Sequence, residues 1–382
     1  MLHTVPPVLD MTAAIEEARA RSLSWLASMQ APGAPRGVTR ISAHHDSARW
    51  PGVLLPGTYN AVMCLDLLGG LDDWDSTDRL KLASWLENHR RTDGIFRIPG
   101  MADADVFKKP DRSETWRYID FHVTNYSLGA IDALIPGRRP SLAFAEPFLD
   151  PLVLKAWLCD RDLNDPWQEG NNIVNLASFF LLLRRDGNAS MQARVAAALD
   201  ILYGWHDRHR EPATGFWGVG QLSDPARLLH AFAGSMHNFH IWYHEGRIPE
   251  AFDRAVDYCL TLPPRVDSAC IDVDAVDVLI HGWKLLDHRR TEIEAWLSTL
   301  LVALLADQNA DGGFCDVRTG IRRQDGWLKG YEEQQGISNT FATWFRWIAI
   351  AMIADTLAPG RWNWGFRRMI GIGYRIASWG RQ

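Results

Sequence analysis

Apolar residues are spaced in two different ways along this chain, and the two ways take turns. Segments near 13–30, 77–91, 147–160, 189–209, 249–262 and 290–308 are apolar on one side and charged on the other, as in a helix that covers a core. Between them lie segments near 58–69, 122–135, 172–185, 227–245, 272–286 and 339–356. These are apolar almost all round, with small or polar residues mainly near their starts. A helix of the second kind has to be enclosed by others. No stretch shows the two-residue alternation of a half-buried strand. An all-α chain with six outer and six inner helices in strict alternation is expected.

Three connections share one design: Thr92-Asp93-Gly94-Ile95-Phe96, Ala213-Thr214-Gly215-Phe216-Trp217-Gly218 and Ala310-Asp311-Gly312-Gly313-Phe314. Asp or Thr followed by Gly stops a helix with a left-handed residue, and the aromatic then packs back onto the helix pair. Pro166-Trp167-Gln168-Glu169-Gly170 is expected in the same place in the third pair, and Gln30-Ala31-Pro32-Gly33 in the first. One helical hairpin cannot bury its apolar face alone, and closing six into a ring gives every inner helix two neighbours. The expected fold is an (α/α)6 toroid forming a single domain over 1–360, followed by a basic, aromatic tail over 361–382.

In such a ring the inner helices all start at one mouth. The long connections 31–57, 92–121 and 309–338 gather there. They carry Ser42-Ala43-His44-His45-Asp46, Lys108-Lys109-Pro110-Asp111-Arg112, Arg322-Arg323-Gln324-Asp325 and Glu332-Glu333-Gln334. The return connections read as short, so the opposite face is expected to be structural only. Polar residues near the inner-helix starts are candidate substrate contacts: Tyr59, His122, Asn125, Glu169, Asn171, Asn172, His237, His240, Asn339 and Trp344. One Asn in such a place is ordinarily a helix cap; the same bias on all six helices points to a lined cavity.

The stretch Cys270-Ile271-Asp272-Val273-Asp274-Ala275-Val276-Asp277 concentrates acids at the start of the fifth inner helix. Asp274 and Asp277 fall one turn apart on one face, with Asp272 expected at the N-cap or just before it. Acids at a helix start complement its dipole, which accounts for one of them more readily than for three. Asp274, Asp272 and Asp277 are the candidate catalytic residues.

Two patterns resemble the terpenoid cyclases. Gln308-Asn309-Ala310-Asp311-Gly312-Gly313-Phe314 is similar to their Q-x-x-x-G-x-W repeat, with Phe in place of Trp; Gln30 and the turn at 215–217 are fainter echoes. Ile271-Asp272-Val273-Asp274-Ala275-Val276 resembles the D-x-D-D-T-A stretch of the class II, protonation-initiated cyclases, and Ser338 to Asp355 resembles the helix after their repeat. The resemblance covers roughly 190–356. It implies the terpenoid-cyclase and protein-prenyltransferase toroid, and a general acid at Asp274. Burial and neighbouring carboxylates such as Asp272 and Asp277 would keep that acid protonated until use. Ala275 and Val276 depart from the motif, and the chain is expected to do without the second helical domain that completes the site in those enzymes. The prenyltransferase branch needs an Asp, Cys and His zinc set; Asp267 and Cys270 are near each other, but no His follows His288.

Composition narrows the partners. Eighteen Trp fit an aromatic-walled cavity, and a net charge of -6 gives nucleic acid no footing. Five scattered Cys fit reduced thiols, Met1 to Asp10 does not read as a secretory signal, and no apolar run is long enough to span a bilayer. A cytoplasmic enzyme acting on a small-molecule or lipid-like substrate is expected, with no metal and no cofactor unless a diphosphate substrate brings Mg2+. Toroids of this kind also host glycoside hydrolases and polysaccharide lyases, so glycan chemistry is the alternative. It would pair these acids with Glu169 or Asp46, or use His237 or His240 with Tyr59. A toroid that binds without catalysing is the third reading. The tail, with Arg361, Arg367, Arg368, Arg375 and Arg381 among aromatics, fits either peripheral contact with an anionic membrane or packing onto the acidic outer helices. Packing is favoured, because Gly371 and Gly373 weaken a continuous helix.

Overall fold

A computed structural model describes residues 11–101, 118–218, 223–318, 335–367, 369–371 and 373. The basic stretch Lys108–Arg112, the Arg322–Asp325 and Glu332–Gln334 clusters, Arg368 and the tail from Tyr374 onward lie outside the described residues. Twelve α-helices alternate in role along the rest. The outer ones are α1 (Thr12–Ser28), α3 (Ser76–Glu87), α5 (Pro151–Cys159), α7 (Ala189–His209), α9 (Phe252–Thr261) and α11 (Arg290–Ala306). The inner ones are α2 (Leu54–Leu67), α4 (Tyr118–Leu134), α6 (Pro166–Asp186), α8 (Pro225–His244), α10 (Ala269–Leu285) and α12 (Thr340–Leu357).

The inner six close on themselves. Helix α2 packs on α4, α4 on α6, α6 on α8, α8 on α10, α10 on α12, and α12 returns to α2. Outer helices α1, α3, α9 and α11 each lie against the inner helix that follows, and α7 covers α6. The fold is all-α, an (α/α)6 toroid. Among the described residues only isolated bridges interrupt the helices, at Gln30–Thr39, Ser42–Asn339, Arg90–Phe96 and Arg210–Trp217. Arg90–Phe96 and Arg210–Trp217 close two of the recurrent turns, Asn309 N–H to Gly313 O (3.0 Å) closes the third, and their Gly94, Gly215 and Gly312 have φ of 95°, 74° and 97°. Gln308 locks the last turn to the first helix: its amide donates to Ala18 O at 2.8 Å and to Gly312 O at 2.9 Å.

A sixfold device then joins each connection to the next inner helix. The main-chain N–H of Thr39 donates to Thr58 Oγ1 (3.0 Å), that of Phe96 to Thr124 Oγ1 (2.9 Å), and that of Asp162 to Glu169 Oε1 (3.1 Å). Around the second half of the ring, Trp217 N–H donates to Ser235 Oγ (3.1 Å), Asp267 N–H to Asp272 Oδ2 (2.9 Å) and Phe314 N–H to Thr343 Oγ1 (2.9 Å). A hydroxyl does this work in four pairs and a carboxylate in two. Each carboxylate has also recruited a buried arginine, Arg161 for Glu169 and Arg346 for Asp272.

Several expectations need correction. All the inner helices but the last begin earlier than the apolar pattern indicates, at Leu54, Tyr118, Pro166, Pro225 and Ala269. Pro166–Gly170 is therefore the first turn of α6 rather than a Gly-centred connection, and Ser268, not Asp272, is the N-cap of α10. The return connection 135–150 is long and holds a 3-10 turn at Glu146–Leu149. The tail does not lie on the outer helices alone. Trp364 stacks near Trp362 and under Arg19 of α1, but Arg367, Met369, Ile370 and Gly371 are buried inside the ring. No described helix is long and apolar enough to cross a membrane.

The sixfold device makes a stability prediction. Thr343→Val keeps the shape but leaves the buried Phe314 N–H without an acceptor, and should cost about 1–3 kcal/mol in urea denaturation. Thr343→Ser should recover most of it. Equal midpoints for Val and Ser would show that the bond carries no stability.

Candidate active site

Helices α4 and α10 stand opposite one another in the ring, so side chains that meet between them face its axis. Tyr126 of α4 marks that axis. It stacks on Tyr59 of α2 (5.7 Å between centroids), packs on His122 (4.3 Å) and meets Trp344 of α12 edge-on (5.3 Å). Burial pushes its phenol well above the usual range; Arg367 opposes that shift, while Cys270 and Asp274 of α10 add to it. Asp274 thus shares one electrostatic neighbourhood with an aromatic wall built from three other helices.

Asp274 is fully buried, and neither carboxyl oxygen has a hydrogen-bond partner. Burial, with the nearby charges of Asp277 and Asp272, holds its carboxyl well above the ordinary value, which favours the protonated form. Asp277, one turn on and equally buried, is the opposite case. Its Oδ1 accepts from His240 Nε2 at 3.0 Å and lies 3.2 Å from His281 Nδ1. Burial resists ionisation there, but the two imidazoles outweigh it and hold the carboxyl well below its usual range. His281 is itself oriented by Nδ1 donation to Asp277 O at 2.7 Å and by stacking on Tyr243, 3.6 Å between centroids at 5°. His237, one turn before His240, is pushed down to about 3 by burial and by His240, and so is neutral. The arrangement sets a carboxyl biased toward its protonated form beside one biased toward its ionised form.

Not every sequence candidate joins this group. Asp272 is tied to Arg346 and the Asp267 N–H, and Glu169 to Arg161, the Asp162 N–H and Asn172 Nδ2. Both therefore hold the mouth connections. Asn171 bonds Trp167 O at 2.9 Å within its own helix, and Asn339 caps α12 by accepting from Ala342 N–H at 2.8 Å. Asn125 does reach the axis, donating to Asn175 Oδ1 at 2.7 Å and accepting from Arg367 Nη2 at 3.0 Å. Sequence reasoning passed over Tyr126, His281 and Arg367. The His281 signal was available, as a histidine four residues after Asp277 on the same helix face. Among the described residues no group of three or more His, Cys, Asp and Glu side chains is disposed to hold a metal ion.

No family model matches the chain, and no curated protein matches it in sequence. Among solved structures it is similar to the type II terpene cyclase MstE from Scytonema, in the apo form of a point variant. The TM-score is 0.47 and the identity 11%, over 91% of this chain and 99% of that one.

The two carboxyls predict opposite pH dependences. A raised folded-state pKa contributes stability below the ordinary value of 3.8 that is lost as pH rises. Asp274→Asn escapes this loss, so its melting temperature relative to the native chain should climb from about pH 4 toward neutral. Asp277 has the depressed pKa, and its contribution is present above 3.8 and lost on acidification. Asp277→Asn should destabilise most at neutral pH and progressively less as pH falls below 3.8. Calorimetry across that range checks both, and parallel curves for the native and substituted chains would contradict the assignment.

Proposed function

We propose that the protein is a protonation-initiated cyclase of an isoprenoid, lipid-like substrate, with Asp274 as the proton donor. The observation that carries this reading is a buried carboxyl with no hydrogen-bond partner beside an aromatic wall. Protonating an alkene requires an acid that still holds its proton when water is excluded, and Asp274 meets that condition through burial and the neighbouring Asp277 charge. The carbocation formed is then accompanied by the Asp277 carboxylate and by the faces of Tyr126, Tyr59 and Trp344. Each aromatic contact to a desolvated cation is worth about 2 kcal/mol. Orientation of Asp277 falls to His240 and His281. Asp272, tied to Arg346 and to the Asp267 N–H, holds the mouth connection and adds to the field that keeps Asp274 protonated. The chemistry calls for no cofactor.

Glycan chemistry is the second reading, and the site supports it less. A glycosidase acid works with a second carboxyl across the scissile bond. Both Glu169 oxygens are engaged by Arg161 and the Asp162 N–H, and Asp46 is exposed, accepting from the Ala48 and Arg49 N–H groups. Asp277 projects from the same helix as Asp274, so the two meet a substrate from one side.

Incubating the protein in D2O with linear polyprenoids that end in a trisubstituted alkene tests the proposal. A cyclised product should carry one deuterium on carbon. Asp274→Asn should lower kcat about a hundred- to ten-thousandfold with the fold retained. Full activity of Asp274→Asn, or cleavage of oligosaccharides with no polyprenoid product, would overturn the assignment.

A further inference from the structure

The C-terminal stretch reaches the acid pair from the face of the ring expected to be structural only. Gly365 N–H donates to Leu67 O at 3.1 Å, at the end of α2. Arg367 then runs past Gly129 of α4, where a Cβ would sit 3.1 Å from its Nη2, and its guanidinium lies 5.2 Å from the Tyr126 ring centroid. A turn closed by Arg367 N–H to Gly373 O, at 2.9 Å, presents the Gly371 N–H to His240 Nδ1 at 3.1 Å. Only glycine suits that place. Its φ is +123°, and a Cβ would stand 2.8 Å from Arg367 Nη1.

An N–H can only donate, so His240 Nδ1 must be the unprotonated nitrogen and the ring proton must sit on Nε2, 3.0 Å from Asp277 Oδ1. We infer that the Gly371 main-chain N–H is a positioning group of the acid site: by occupying His240 Nδ1 it fixes the tautomer that donates to Asp277, so that Asp277 stays ionised and Asp274 keeps its own proton. Loss of that donor shifts the tautomer balance of His240 toward a proton on Nδ1. Asp277 then keeps only His281 and competes with Asp274 for the proton. The tail becomes part of the catalytic apparatus, although none of its atoms need touch the reacting carbon. The inference rests on the proposed role of Asp274, but its test needs no substrate.

Semisynthesis can place at residue 371 an ester analogue in which oxygen replaces this one N–H. Nitrogen NMR of histidine-labelled protein reads the His240 tautomer. The infrared band of a buried carboxylic acid, identified by its loss in Asp274→Asn, reads the proton on Asp274. In the native chain His240 should be protonated on Nε2. The ester at 371 should shift the His240 nitrogens toward the other tautomer and remove at least half of the Asp274 band at neutral pH. Gly371→Ala should act in the same direction. An ester at Gly365, which deletes the bond to Leu67 in the same stretch, should change neither signal. Unmoved His240 nitrogens at 371, an unmoved Asp274 band, or equal changes from the ester at 365 would each overturn the inference. Activity retained by Asp274→Asn would instead remove the proposed function and leave the His240 result standing.

Discussion

A carboxylate can remain ionised at the centre of a helical ring only if hydrogen-bond donors replace the water it has lost. Asp277 has two such donors, the imidazoles of His240 and His281, and the electrostatics of the interior follow from that. A second charge one turn away would have no donors of its own, so Asp274 keeps its proton. The difference between the two aspartates lies in their neighbours, and those neighbours come from α8 and from the next turn of α10. Removing the imidazoles would turn a donor–acceptor pair into two equivalent buried acids.

The remaining buried carboxylates show what ordinary structural use looks like in this fold. Asp272 and Glu169 take the position that Thr58, Thr124, Ser235 and Thr343 take elsewhere, receiving one main-chain N–H from the preceding connection. Each is neutralised by a buried arginine, as a buried charge must be. Asp120 is likewise held by Arg97 at 2.7 Å. Asp274 has neither an arginine nor an N–H, and it departs from the repeat by having no structural duty. Function in a repetitive architecture is best sought at such departures.

Much of this was legible in the sequence. Periodic burial fixed the roles of all twelve helices, and the acid stretch singled out Asp274 and Asp277, because helical spacing is local information. The sorting of acids into structural and chemical ones was not legible. Arg346, which claims Asp272, lies 74 positions away in sequence, and Glu169 looks like a site residue until Arg161 folds over it. The described part of the tail packs on the protein, but its reach past the outer helices to α4 and α8 was not legible for a related reason. Its arginines read as surface charges and its glycines as helix breakers, yet Arg367 is accommodated by Gly129 on a distant helix, and Gly371 is a close-approach residue. Such pairings depend on which elements meet, and local pattern does not carry that.

The central claim is that one proton resides on Asp274 and none on Asp277. Neutron diffraction from deuterated crystals at neutral pH observes this directly. Nuclear density for a deuteron on an Asp274 oxygen, with bare oxygens on Asp277 and deuterons on His240 Nε2 and His281 Nδ1, is the predicted result. A deuteron on Asp277, or two ionised carboxylates, would contradict it.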